Sequence, residues 1–152
     1  MFRSPIKRRS DGSYRFGISP EERRLVADVV GQLRQLLLAD DPSLARLFPP
    51  PYGDDAERNA GYAALAGSEL IERRLASIDL VLDTIEADSL SQDELEAWMR
   101  SINDVRLALG TILDVDESER PATDPDEATS ANLAVYQYLG VLLEMTVRAL
   151  TH

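Results

Sequence analysis

Carboxylates dominate the reactive side chains of this 152-residue chain: 27 Asp and Glu stand against 16 Lys and Arg, one His and no Cys. Three arrangements could turn them to chemistry. A di-iron bundle needs Glu-x-x-His pairs on facing helices. The sequence holds none, and its one histidine is the last residue, His152. A calcium loop needs oxygen ligands alternating around a glycine, closed by a Glu. Asp114, Asp116, Glu117 and Glu119 lack that pattern, so a solvated loop is favoured there over a weak divalent-ion site. A two-carboxylate hydrolase needs a fold that converges two acids, and nothing singles out such a pair. There is no Gly-rich phosphate loop, and no histidine in the body of the chain to activate a serine. Without cysteine the chain has no thiolate metal site, disulfide or redox pair. These residues predict a non-enzymatic protein with no cofactor, no metal and no catalytic residue.

Two polar constellations remain. Residues 1–24 carry Arg3, Lys7, Arg8, Arg9, Arg15, Arg23 and Arg24 against Asp11, Glu21 and Glu22, a net +4. The net charge of the whole is −11, which leaves −15 on the rest. An anionic body repels nucleic acid, so any DNA contact falls to the cationic segment. Its Arg3, Lys7, Arg9 and Arg15 are the candidate nucleic-acid or partner contacts. The second constellation is Asn103-Asp104-Val105-Arg106. On a helix Asn103 and Arg106 are surface neighbours, beside a strongly apolar stripe. One reading is an internal polar node in which Arg106 reaches a carboxylate on another helix. The other is a contact for a partner protein. The node is favoured.

The elements that must position these groups begin with a β-hairpin. Phe2–Arg9 and Ser13–Ile18 flank Ser10-Asp11-Gly12. A two-residue Asp-Gly turn is available, but it would mix basic and apolar side chains on one face. A three-residue loop with Gly12 left-handed pairs Arg8 with Tyr14, Ile6 with Phe16 and Ser4 with Ile18. Phe2, Ile6, Tyr14, Phe16 and Ile18 then share one face, and Arg3, Lys7, Arg9 and Arg15 the other. Burial of one face selects this register. Lys7 then lies opposite Arg15, an unfavourable like-charge pair that suggests a compensating anion. Phosphate or an acidic protein surface would serve, with protein docking slightly preferred.

Four helices should follow. Ser19-Pro20-Glu21-Glu22 starts the first with a capping box and a first-turn proline. Val26, Val29, Val30, Leu33, Leu36 and Leu37 recur at helical spacing as far as Ala39, before Asp40-Asp41-Pro42. Leu44–Leu47 suggests one helical turn, and Phe48-Pro49-Pro50-Pro51-Tyr52 an extended strut rather than a polyproline ligand. A second helix starts at Asp54 or Asp55 and ends near Ala87, kinked or divided at Gly67-Ser68, with Ile71, Leu75, Ile78, Leu82 and Ile85 inward. Ser91 and Glu94 cap the third, stapled by Leu90 and Leu95. Its stripe is Leu95, Trp98, Met99, Ile102, Val105, Leu109, Ile112 and Leu113. Asp114–Thr123 reads as an acidic loop. Asp124, Pro125 and Glu127 open the fourth helix, where Leu133, Tyr136, Gly140, Leu143, Val147 and Leu150 keep a seven-residue repeat. Gly110 and Gly140 suggest close helix approach, and Arg73–Glu69 and Arg148–Glu144 surface pairs. The fold expected is mainly α, with an N-terminal β-hairpin packed on a bundle of about four helices: one domain over 1–152, with an arm over 1–18 and a bundle over 19–150.

Composition agrees with a globular domain. Apolar residues make up 44% of the chain, too many for disorder. At this length folding buries roughly 70% of the unfolded surface. No uninterrupted apolar run reaches the ~18–20 residues of a membrane span, and MFRSPIKRRSDG lacks a signal peptide's apolar stretch. A cytoplasmic protein without membrane contact is expected.

Leu44-Ala45-Arg46-Leu47-Phe48-Pro49-Pro50-Pro51-Tyr52-Gly53-Asp54-Asp55, followed by Trp98–Val115 with Asn103-Asp104-Val105-Arg106-Leu107-Ala108-Leu109-Gly110-Thr111, resembles a small actinobacterial family long catalogued as a domain of unknown function. The likeness runs from the hairpin through the last helix. It implies the role described for some members, an oxidative-stress transcriptional regulator. Such a protein works with sigma factors, RNA polymerase and promoter DNA, and responds through a cysteine pair. This chain has no cysteine, so the thiol switch does not carry over. The functional expectation is a regulatory or adaptor protein that binds protein partners, with DNA contact through the basic hairpin. The rival is a structural homodimer that does not bind DNA.

Overall fold

The computed structural model describes residues 4–39, 55–119 and 127–151. Arg3, Phe2, the Leu44–Leu47 turn and the Phe48–Tyr52 strut lie outside them. In chain order the elements are β1 (Ile6–Arg8), β2 (Tyr14–Phe16), α1 (Pro20–Ala39), α2 (Ala56–Asp83), β3 (Ser89–Leu90), α3 (Gln92–Glu119) and α4 (Glu127–Thr151). The fold is mainly α, with a small antiparallel sheet packed on the helices.

The hairpin has the expected register: Ile6 opposite Phe16, Lys7 opposite Arg15 and Arg8 opposite Tyr14. Gly12 has φ +90°, a conformation that favours glycine because any Cβ is strained there. Asp11 accepts hydrogen bonds from the Ser13 N–H (2.9 Å) and hydroxyl (2.6 Å), which closes the loop. Ile6, Tyr14, Phe16 and Ile18 are all buried. The sheet also gains a third strand absent from the sequence reading. Ser89-Leu90 pairs with β2, Tyr14 opposite Leu90 and Arg15 opposite Ser89. Two residues just before a helix cap are too short to show alternation.

Both capping boxes form. Ser19 Oγ accepts from the Glu22 N–H (3.1 Å), and Glu22 Oε1 accepts from the Ser19 N–H (3.1 Å). Ser91 and Glu94 repeat the exchange at 3.2 and 2.7 Å. Leu90 and Leu95 are both buried, as the staple requires. α1 ends at Ala39 as expected and buries Val26, Val30, Leu33 and Leu37.

Three helical expectations are corrected. α2 is one unbroken helix through Gly67-Ser68, capped by Asp55, and stops at Asp83 rather than Ala87. Val81, outside the expected stripe, is fully buried. α3 continues through Asp114 to Glu119 where a loop was expected. Nothing in that acidic stretch, free of glycine and proline, breaks a helix. α4 is rotated from the seven-residue repeat. Its buried positions are Leu139, Leu142 and Thr146, while Leu133 (42%) and Val147 (39%) are exposed. α4 is apolar nearly all round, so periodicity cannot choose its inward face. Over Ser130–Thr151 it is long and apolar enough to cross a membrane by length and composition. Here it packs on α3 and β1.

The core joins sheet to bundle. Phe16 and Trp98 rings lie 4.5 Å apart, tilted at 58°. The Trp98 indole N–H donates to Thr84 Oγ1 at 2.8 Å, and Thr84 Oγ1 donates to the Leu80 carbonyl at 2.8 Å. Both buried polar groups are therefore satisfied, and α3 is tied to the end of α2.

Candidate functional site

The hairpin is no free arm, because its apolar face is part of the core. Only its outer face is available. There Lys7 and Arg9 are exposed and Arg15 is half-buried. With Arg8, Ser10 and Asp11 they rim a depression of about 410 Å³. Arg9 donates to Ser89 Oγ at 3.1 Å and Arg15 to the Ser4 carbonyl at 3.2 Å. Among the described residues no carboxylate comes within ion-pair distance of Lys7, Arg8, Arg9 or Arg15. Among the described residues the like-charged Lys7–Arg15 pair thus has no ion-pair partner, and Asp11 is the one acid on the rim beside it. Hydrogen bonds from Ser13, with Arg9 nearby, hold the exposed Asp11 carboxyl below its ordinary range.

Arg23, counted in sequence among the cations of the N-terminal segment, is withdrawn from that surface. Its guanidinium donates to four carbonyls: Ile18 (3.1 Å), Ile85 (2.9 Å), Ala87 (2.7 Å) and Phe16 (2.8 Å). Its side chain is 11% exposed and lies 5.5 Å over the Phe16 ring. Arg23 clasps α1, β2 and the turn after α2, a structural role that no local motif announces.

The Asn103–Arg106 constellation divides. Asp104 is buried and pairs with Arg74 of α2. Burial pushes its carboxyl up, against the pull of Arg74 and Arg100. The expected node of Asn103, Asp104 and Arg106 is replaced by a pair between Asp104 and Arg74, thirty residues upstream. Arg106 does not reach a carboxylate. Its guanidinium lies 4.6 Å over the Tyr136 ring of α4. It also packs where a Cβ on Gly140 would stand 3.3 Å from Nη2. Gly140 thus makes room for the Arg106 side chain between α3 and α4. The Arg106 Nε is buried without an acceptor. Asn103 is exposed and lines a cleft of about 670 Å³ between α2 and α3 with Arg73, Arg74, Arg100 and Asp104.

A further link was missed. Tyr138 of α4 donates to Glu22 Oε2 at 2.6 Å. Burial raises the Glu22 carboxyl, but hydrogen bonds from Tyr138 and Ser19, with Arg23 nearby, outweigh it and leave the group below its ordinary range. Burial and then the Glu22 carboxylate push the Tyr138 hydroxyl far up. The surface pairs Arg73–Glu69 (2.8 Å) and Arg148–Glu144 (2.7 Å) form as expected. Among the described residues no group of three or more carboxylate or imidazole side chains is placed to share a cation.

Residues 3–150 match the family model described as Domain of unknown function (DUF2017). The chain belongs to this family. It is 33% identical over 128 residues to AosR of Mycobacterium leprae (strain TN), covering 73% of this chain and 59% of that protein. It is 29% identical over 127 residues to the oxidative stress regulator AosR of Mycobacterium tuberculosis (strain ATCC 25618 / H37Rv), covering 72% and 58%. The Mycobacterium bovis (strain ATCC BAA-935 / AF2122/97) protein of the same name gives the same figures. The chain thus spans under two thirds of these relatives' length. No solved structure matches it.

Proposed function

We propose that this chain is a non-enzymatic regulatory or adaptor protein of the oxidative-stress regulator type, acting in the cytoplasm through contacts with protein partners and promoter DNA. The observation that carries the proposal is the outer face of the sheet. Lys7, Arg9 and Arg15 are clustered there with no ion pair to a carboxylate among the described residues, on a protein of net charge −11. Like charges facing each other across a strand pair cost stability, and an external anion relieves that cost. The named relatives, regulators of oxidative stress, support the reading. A cysteine switch has no place in it, since the chain has no cysteine. The partner class that fits is a sigma factor or another component of RNA polymerase, with the basic face reaching phosphate.

The test is binding of the purified chain to RNA polymerase holoenzyme and to promoter fragments, with and without reversal of Arg3, Lys7, Arg9 and Arg15 to Glu. The four-fold variant should lose DNA binding. The wild-type affinity should fall with log salt at roughly −0.9 per phosphate contacted. A salt-independent affinity, or one untouched by the reversal, removes the sheet face from the account. Repeated failure to bind any transcription component refutes the adaptor role.

The rival reading is a structural homodimer without DNA binding. It draws on exposed Val141 (56%), Leu133 (42%) and Val147 (39%) of α4. Light scattering separates the two, because a strict monomer at high concentration eliminates the dimer.

A further inference from the structure

The α2–α3 cleft is a second surface, remote in character from the sheet. Its lining runs from Leu70 to Leu80 on α2 and from Ala97 to Leu107 on α3. Ten residues of helix make it about 15 Å long, the length of roughly three helical turns. Three arginines line it against one acid, on a protein that is otherwise strongly anionic. Arg73 stands on the α2 lip, with its side chain 70% exposed, and Arg100 on the α3 lip. Between them the Arg74–Asp104 pair is built into the wall, with Asp104 buried. Leu70, Leu80 and Leu107 supply apolar lining.

We propose that this cleft docks an acidic amphipathic helix of a partner protein. The apolar lining takes a stripe of side chains at i, i+3, i+4 and i+7. Carboxylates flanking that stripe meet Arg73 and Arg100, one on each lip. Arg73 is held by an exposed i,i+4 pair with Glu69, an interaction weak enough to be exchanged for a partner carboxylate. Among the described residues Arg100 hydrogen-bonds through Nε alone, to Ser77 Oγ at 3.3 Å, with Asp104 near its charge, which leaves its outer N–H groups for a bidentate acceptor. Single-stranded nucleic acid fits poorly, since among the described residues no aromatic side chain lines the cleft to stack a base. The inference rests on the reading of this chain as a binder of protein partners, and it names the docking site and the chemistry of the docked segment.

The experiment is selection of a phage-displayed library of random 16-residue peptides on the intact chain, followed by fluorescence anisotropy of the most enriched peptide. Acidic sequences with apolar residues at helical spacing should be enriched. Arg73→Glu with Arg100→Glu should weaken the best peptide by about tenfold or more. Reversing Lys7, Arg9 and Arg15 should leave it within about twofold, since those charges lie on the sheet and are screened. Circular dichroism should show both variants folded. Enrichment of basic peptides, no enrichment, or an affinity indifferent to Arg73 and Arg100 overturns the proposal. So does self-association through the cleft in place of peptide binding. If the cleft variant binds RNA polymerase and promoter DNA normally while the sheet variant does not, the cleft is refuted and the sheet reading stands.

Discussion

Replacing Arg23 with methionine keeps much of its volume and removes every donor, so it isolates the clasp between α1, the sheet and the turn after α2. Four carbonyls lose their partner. A hydrogen bond to a charged group contributes about 1.5–3 kcal/mol net, so simple addition gives about 6–12 kcal/mol. That exceeds what the site can return. The Arg23 side chain is 11% exposed, so water can reach some of the freed carbonyls, and the wild type bears the desolvation of a charge. Counting about two of the four bonds gives a loss of about 3–6 kcal/mol, a large share of the roughly 5–15 kcal/mol total expected of such a domain. At about 2–4 °C per kcal/mol for this size, the midpoint should fall by about 10 °C. The assays are thermal and urea unfolding followed by fluorescence of the single tryptophan, Trp98, buried against Phe16. Arg23→Lys should recover only part of the loss, because one ammonium cannot fork to Phe16 on one side and to Ile85 and Ala87 on the other. A loss below about 1 kcal/mol for the methionine variant, or a lysine variant as stable as wild type, would refute the clasp.

Other expectations follow from single groups. Ser101 is 1% exposed and its hydroxyl has no partner, so Ser101→Ala should raise stability by about 0.5–1 kcal/mol in the same titration. Tyr138→Phe removes the donor to Glu22 and should cost about 1–2 kcal/mol at pH 7. The Glu22 carboxyl is lowered in the fold, so its contribution is present above the ordinary glutamate range and disappears as pH falls through the depressed folded value. The wild type should therefore lose more stability between pH 7 and pH 3 than Tyr138→Phe does; equal losses would contradict the link. Asp104 has the opposite sign, raised by burial. Carbon-detected NMR titration should place it above the ordinary aspartate range and Glu22 below that of glutamate, and the reverse order would refute both assignments. Gly12→Val places a β-branched residue at φ +90° and should cost about 1–3 kcal/mol without changing the strand register.

Local chemistry wrote much of this molecule into its sequence. The hairpin register follows from alternation, because a one-residue slip would turn Phe16 and Tyr14 to water and Lys7 and Arg15 into the core. The two capping boxes, the glycine loop and the surface pairs also join residues within five positions of one another, so spacing alone specifies them. Tertiary structure decided what spacing cannot carry. Asp104 chose Arg74 rather than the nearer Arg106 because α2 lies beside it, while Arg106 faces α4 and finds Tyr136 and Gly140. Arg23 was one more positive charge until the folded chain brought four carbonyls around it. α4, apolar on nearly every side, could be oriented only by the neighbours it packs against. Ser89-Leu90 became a strand only because the β2 edge was there to receive it. In each case the deciding partner is distant in sequence, and only the assembled core sets the distance, direction and dryness that give such a contact its strength.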